Sequence, residues 1–95
     1  MTSIIWAPQA IEDVEAIRAY VAHDSKQYAN LLVVQIVAAV TRLETFPHSG
    51  RVVPEVGDEA LREIVSGNYR IVYRVKPDVV EILTVFHGAK LLRLE

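Results

Sequence analysis

The sequence contains no cysteine, which excludes a disulfide-stabilised scaffold, a thiol nucleophile and a metal site built from thiolates. Its three histidines, His23, His48 and His87, fall in different parts of the chain without the spacing of a metal-binding motif. The glycine-rich motifs that bind phosphate or dinucleotides are absent as well. We therefore expect neither a metal site nor a cofactor.

No long hydrophobic run is present. The longest apolar stretch, residues 31–40, includes Gln35 and is half as long as the roughly 20 residues that a membrane span requires. The first residues show no basic segment followed by an apolar core, so no signal peptide is expected. These absences predict a soluble, cytoplasmic protein without a membrane partner.

Positive charge is not in excess, since ten Lys and Arg face twelve Asp and Glu and the net charge is −2. Proteins that bind nucleic acid usually carry a basic excess, because phosphate contacts dominate their affinity. The balance favours a protein partner over direct nucleic-acid binding.

The 95 residues, 52% of them hydrophobic, are enough for one domain with one core, spanning residues 1–95. Residues 2–6 are β-branched and aromatic and predict a strand. Apolar residues at steps of three and four then predict a helix over residues 8–23. A second helix over residues 26–45 is expected to begin after an N-cap at Ser25 and to end before Pro47.

Three strands follow, at residues 60–65, 69–76 and 79–87, with alternating side chains in the second. A two-residue turn at Pro77-Asp78 pairs Arg74 with Glu81. The order of elements predicts an α+β fold: an N-terminal strand, and an α-helical hairpin packed on an antiparallel β-sheet that ends in a three-strand meander. The position of strand 2–6 in the sheet stays open.

The two faces of the sheet differ in this prediction. Tyr69, Ile71, Tyr73 and Val75 lie under the helices, together with Val80, Ile82, Thr84 and Phe86. A three-residue turn at residues 66–68 is preferred, and it places Arg62 and Ile64 on the other face; a two-residue turn at Gly67-Asn68 reverses this placement. The second face then carries Arg70, Val72, Arg74, Leu83, Val85 and His87, and we expect no other segment to cover it.

Two features admit both a structural and a functional interpretation. The arginines suit bidentate binding of a carboxylate or phosphate, yet Arg74 also fits an ordinary surface ion pair with Glu81. Val34 and Ala38 lie on the outer side of the second helix, where they are either ordinary exposed residues or part of a partner surface. His87, at a strand end, is either structural or an acid–base group.

Several segments in this order resemble the ParE/RelE superfamily of bacterial type II toxins, also described as plasmid stabilization proteins. They are Ile5-Trp6-Ala7-Pro8-Gln9-Ala10 with Glu12-Asp13, Phe46-Pro47-His48-Ser49-Gly50-Arg51, Arg62-Glu63, Tyr69-Arg70-Ile71-Val72-Tyr73-Arg74 and Val85-Phe86-His87-Gly88. The resemblance implies the same helical hairpin on a sheet. It also implies a toxin that forms a hetero-oligomer with a cognate ParD-like antitoxin. The surface that we expect the antitoxin to contact comprises Leu31, Val34, Ala38, Arg62, Arg70, Val72, Leu83 and Val85.

The superfamily divides by target. RelE-like members resemble one another in a set of basic residues and a C-terminal tyrosine or histidine with which they cleave mRNA on the ribosome, and here that set would be Arg70, His87 and Lys90. RelE itself also has a pair of lysines, which have no counterpart here because the corresponding region reads Val52-Val53-Pro54-Glu55. Gly88 stands where YoeB-like members have a tyrosine. ParE-like members inhibit DNA gyrase by binding, without catalytic residues of their own.

The incomplete nuclease set favours the ParE-like interpretation, in which the protein is not an enzyme. Target-binding residues are then expected at Arg70, Arg74, His87 and Lys90. The alternatives are a RelE-like endoribonuclease and a non-toxic module that only binds an antitoxin.

Overall fold

The computed structural model of the chain describes residues 2–89. In chain order the elements are β1 (Ser3–Trp6), α1 (Pro8–Ala22), α2 (Lys26–Thr41), a 3-10 turn (Arg42–Glu44), β2 (Arg51–Val52), β3 (Leu61–Ser66), β4 (Tyr69–Val75) and β5 (Val79–His87). The predicted α+β fold is confirmed, with a strand, a helical hairpin and a C-terminal meander.

The strands form one five-stranded sheet in the order β1-β5-β4-β3-β2. β1 runs parallel to β5, whereas the other neighbouring strands are antiparallel. The sheet is therefore mixed: the meander is antiparallel as predicted, and β1, whose position the sequence left open, adds a parallel edge strand. The two-residue strand β2 carries no periodic signal of its own and was not predicted.

Local sequence explains both helices. Pro8 opens α1, where its missing N–H costs no hydrogen bond, and the Ser25 hydroxyl accepts a 3.1 Å hydrogen bond from the N–H of Tyr28 at the start of α2. α2 ends at Thr41 and continues as the 3-10 turn, so the predicted helix to residue 45 is slightly too long. The core between hairpin and sheet is Ala10, Leu32, Ile36, Ala39, Val40, Leu43, Ile71, Tyr73, Val80, Ile82 and Val85.

The turn between β3 and β4 has two residues, because Ser66 pairs with Tyr69. Gly67 adopts a φ of 57°, a left-handed conformation that glycine tolerates well. Arg62 and Ile64 consequently pair with Tyr73 and Ile71 and share their face under the helices. The preferred three-residue turn was wrong, and the two-residue alternative is correct.

A β-bulge shifts the register between β4 and β5. Val72 pairs with Thr84 while Tyr73 pairs with Ile82, which leaves Leu83 as the extra residue. The predicted pairing of Arg74 with Glu81 is confirmed, but beyond the bulge Val85, Phe86 and His87 change face relative to the prediction. Val85 therefore lies in the main core, and Phe86, which was expected under the helices, lies opposite Arg70.

The second face of the sheet is partly covered. Val53, in the segment after β2, is completely buried and packs with Leu61 and Val72, while Leu83 and Phe86 are half-buried around them. The expectation that no segment of the chain covers this face is wrong, because residues 53–58 lie over it. Within residues 2–89, no helix is both long enough and apolar enough to cross a membrane.

Candidate functional site

Arg70 is the centre of an ionic cluster on the second face. Its Nη1 and Nη2 donate hydrogen bonds of 2.8 Å each to the two carboxylate oxygens of Glu55. Its Nε donates a 2.7 Å bond to Oε1 of Glu63, which Nη2 also contacts. The Phe86 ring lies 5.0 Å from the guanidinium carbon, within cation–π range. Arg70 is thus held from three sides, and its side chain is only 8% exposed.

Glu63 links this cluster to a second arginine. Its side chain is fully buried, and its Oε2 accepts a 2.5 Å hydrogen bond from Nε of Arg51 on β2. Arg51 itself is well exposed. A buried carboxylate is tolerated because two guanidinium groups and their hydrogen bonds compensate for its lost hydration.

The two carboxylates set the charge state of the cluster. The hydrogen bonds to Glu55 have the largest effect on the pKa of Arg70, and they raise it. Glu63 raises this pKa as well, and the two carboxylates together outweigh burial, which lowers it. Arg70 is therefore a permanent cation, matched by anions from the same chain. It is not a group poised to exchange a proton.

A separate apolar surface lies on α2. We call Leu31, Val34, Val37 and Ala38 the α2 strip; these residues are exposed on the side of the helix that faces away from the core. Val34 is 63% exposed and Leu31 50%. The strip follows helical spacing and forms one continuous face, which is typical of a surface that a partner covers.

Two grooves flank the helical hairpin. One, of about 500 Å³, lies between the end of α2 and β3 and is lined by residues that include Arg42, Phe46, Arg51 and Val65. The other, of about 510 Å³, lies between α1 and the sheet. Tyr20, Tyr69 and His87 line it, and the Tyr69 and His87 rings meet edge to face. Within residues 2–89, His, Asp and Glu side chains form no group of three or more that could hold a metal.

The structure does not bring the residues of the conditional nuclease set together. Arg70 lies on the second face opposite Phe86, whereas His87 pairs with Tyr69 and faces the groove beside α1. Lys90 lies outside the described residues. Arg74, the further residue predicted to contact a target, is 38% exposed and lies 3.9 Å from Asp58, while Glu81 pairs with Lys76 instead.

The structure also separates the residues of the expected antitoxin surface, some of which are exposed on α2 while others are buried in the sheet. Leu31, Val34 and Ala38 are exposed together on α2. Val72 and Val85 are buried in the two cores, so the expectation that they lie on an open surface is wrong. The remaining members are partly or largely covered: Arg62 donates to the carbonyls of Glu59 and Gly50, Arg70 is enclosed by the ionic cluster, and Leu83 is half-buried against Val53.

Sequence reasoning missed Glu55 and Glu63. The available signal was the acidic content of the segment that precedes β4, which carries Glu55, Asp58, Glu59 and Glu63 in nine residues. Glu63 lies two residues before Val65 and therefore on the same face of the strand. An acid at such a position indicates an inward ion pair once Arg70 is placed on that face. That placement required the two-residue turn.

Comparison with known proteins agrees with this architecture. The sequence matches the family described as the ParE toxin of the type II toxin–antitoxin system parDE over residues 4–92. It is 30% identical to Toxin RelE2 of Caulobacter vibrioides over 92 residues, which is 96% of this chain and 100% of the relative.

Solved structures show the same likeness. A chain of the chromosomal ParDE system from P. aeruginosa superposes with a TM-score of 0.75 at 26% identity, covering 92% of this chain and 96% of the other. YafQ from E. coli shares the fold at a TM-score of 0.51 and 13% identity, with 94% and 96% of the two chains covered. The chain belongs to the ParE toxin family of type II toxin–antitoxin systems.

Proposed function

We propose that this toxin inhibits DNA gyrase by binding to it in the cytoplasm, and that a ParD-like antitoxin neutralises it. The observation that carries the proposal is the state of Arg70. A nuclease of the RelE type needs an accessible cation close to a group that transfers a proton. Here Arg70 is paired with Glu55 and Glu63, and His87 lies on the other face of the sheet.

The energetics support binding over catalysis. General acid–base groups contribute about 10²–10⁴-fold to a rate, and that contribution depends on hydrogen-bond reach to the substrate. Two residues that point to opposite faces of a sheet cannot both reach one phosphodiester. Inhibition by binding requires no such arrangement, only exposed surface.

The second candidate is a RelE-like, ribosome-dependent endoribonuclease, and the similarity to Toxin RelE2 supports it. The third is a module that binds an antitoxin and has no toxic activity. Each predicts a different first effect when the chain is produced in bacteria without its antitoxin.

The deciding experiment is pulse-labelling with thymidine and methionine in one culture after tightly controlled expression. We expect thymidine incorporation to fall first, and purified gyrase to accumulate cleaved DNA when the toxin is added. The antitoxin is the matched control: its co-expression should restore thymidine incorporation, and its addition to the purified assay should prevent the accumulation of cleaved DNA.

Other outcomes separate the candidates. An earlier fall in methionine incorporation, with cleaved transcripts, would establish the endoribonuclease and contradict the proposal. Unchanged incorporation of both labels in cells that contain folded protein would leave only the binding module.

A further inference from the structure

β1 is an edge strand whose outer side has unpaired backbone groups. On its inner side it pairs with β5, and there the N–H groups of Ser3 and Ala7 donate to carbonyls at 3.2 Å and 2.8 Å. Successive residues of a strand direct their backbone groups to opposite sides, so Ile4 and Trp6 direct theirs to the outer edge. Within residues 2–89, no hydrogen bond satisfies the N–H or the carbonyl of either residue.

The 3-10 turn covers only the start of this edge, where the N–H of Thr2 donates a 3.0 Å hydrogen bond to the carbonyl of Glu44. Natural edge strands usually carry charged residues, proline or a bulge, because an unpaired edge is a template for another strand. The strand Ser3–Trp6 has none of these features. It is mostly apolar and contains two β-branched residues, a composition that favours pairing with a further strand.

The side chains of β1 divide between the two faces of the sheet. Ile4 and Trp6 pack against the main core, which fixes the strand in place. Ile5 therefore lies on the second face, where it is 51% exposed. An exposed isoleucine between two residues with unpaired backbone groups is suited to be the centre of a contact between strands.

The outer edge of β1 is self-complementary, and this property identifies the partner. When two copies of β1 pair antiparallel about a two-fold axis at Ile5, Ile4 of each copy lies opposite Trp6 of the other, and each such pair exchanges two hydrogen bonds. The two Ile5 residues form the pair without hydrogen bonds, whose Cα atoms approach to about 4.5 Å, so their exposed side chains cover each other. Residues 2–9 carry no charge, so no like charges oppose each other near the axis.

We propose that the outer edge of β1 is a homodimer interface, in which a second copy of this chain adds its β1 in antiparallel register centred on Ile5. The sheets of the two copies then join into one continuous sheet. Pro8 ends the ladder, because it has no N–H to donate. The interface is small, so the dimer is of the weak class whose population depends on concentration. It involves neither the α2 strip nor the ionic cluster, and it does not depend on the target of the toxin.

Because the sequence has no cysteine, disulfide cross-linking of the full chain without antitoxin tests the register directly. In Ile5→Cys the two sulfur atoms meet at the two-fold axis, at a Cα separation that a disulfide accepts. Ser3→Cys is the matched control, because Ser3 is exposed on the same face of the same strand but lies roughly 13 Å from its counterpart in this register. Val65→Cys is the second control, since Val65 is exposed on the same face of β3. We expect Ile5→Cys to cross-link roughly tenfold or more faster than either control.

Sedimentation equilibrium over a concentration series is the second measurement, and it requires no cysteine. We expect the wild type to dimerise, and Ile5→Lys to raise the dissociation constant of the dimer roughly tenfold or more, because two like charges then oppose each other on the axis. Val65→Lys, which adds the same charge to another exposed strand position, should dimerise as the wild type does. Circular dichroism checks that each variant is folded.

Three results would overturn the proposal: a control that cross-links as fast as Ile5→Cys, a wild type that stays monomeric up to its highest soluble concentration, or equal dimerisation of Ile5→Lys and Val65→Lys. The last result would show that the copies associate through another surface. Protection of the Ile4 and Trp6 amides from hydrogen exchange only after the antitoxin is added would identify the antitoxin as the occupant of this edge, and it would contradict the proposal as well.

Discussion

Gly50 shows how a single residue fixes the path of the chain beside the sheet. A Cβ atom at this position would lie 2.5 Å from both the carbonyl oxygen of Glu63 and the hydroxyl of Tyr73. Its N–H donates to the Tyr73 hydroxyl at 2.9 Å, and its carbonyl accepts from Nη1 of Arg62 at 3.0 Å. The side chains of β3 and β4 thus hold the entry to β2, and only glycine permits the approach.

Replacing Tyr73 by Phe tests this contact. The buried N–H of Gly50 loses its partner, and we expect the free energy of unfolding to fall by roughly 1–3 kcal/mol at neutral pH, measured by urea denaturation. Burial, partly opposed by the Gly50 hydrogen bond and Arg62, raises the pKa of Tyr73. The folded state therefore holds the phenolic proton more tightly than the unfolded state does.

The stability that the wild type gains from the raised pKa of Tyr73 is fully present below the ordinary tyrosine pKa of about 10, and it declines as the pH rises above that value. Since phenylalanine carries no such proton, the stability difference between wild type and Tyr73→Phe should narrow at alkaline pH. Tyr20→Phe is the control, because Tyr20 is 81% exposed. Equal urea midpoints for all three proteins would contradict the role of the hydroxyl.

At the scale of elements, regular periodicity was sufficient to predict both helices and the meander. The N-cap at Ser25 and the alternation in β4 each reflect local chemistry that a sequence displays directly. Two structural features could not be predicted from periodicity: the turn at Gly67-Asn68 and the bulge at Leu83. Each changes the register by one residue, and the choice depends on packing across the sheet.

The candidate site depended on those two events. Arg70 was identified from the sequence, but its partners Glu55 and Glu63 could be placed only with the correct register and with the path of residues 53–58. That segment has no periodicity, and its position is set by the burial of Val53. The sequence predicts the scaffold well, and it predicts the surroundings of Arg70 poorly.

The start of α2 provides a prediction for an element. Ser25→Ala removes the hydroxyl that accepts from the N–H of Tyr28, and we expect a loss of about 1 kcal/mol in the free energy of unfolding. The matched control is Ser49→Ala, an exposed serine outside the helices. Thermal unfolding monitored by circular dichroism measures both. An equal shift in the two variants would show that the N-cap does not stabilise α2.

For the whole molecule, the contrast between the two exposed surfaces matters most. The second face of the sheet is largely closed by residues 53–58 and by the ionic cluster. The α2 strip has no cover within the described residues, and its members are apolar along one continuous helix face. In a toxin of a two-component system, we expect the antitoxin to bury this strip.

Val34→Glu tests that expectation, because the substitution places a charge at a residue of the strip that is 63% exposed, without entering the core. We expect the Kd of the toxin–antitoxin complex to rise roughly 10- to 100-fold, since apolar contact is lost and a carboxylate must be desolvated on binding. Gln35→Glu is the control: it adds the same charge to a neighbouring exposed position of α2 outside the strip. Calorimetric titration of each refolded toxin with the antitoxin measures the effect, and thermal unfolding of the free variants checks that the fold is kept. Wild-type affinity in Val34→Glu, or equal weakening by both variants, would show that the α2 strip is not the antitoxin surface.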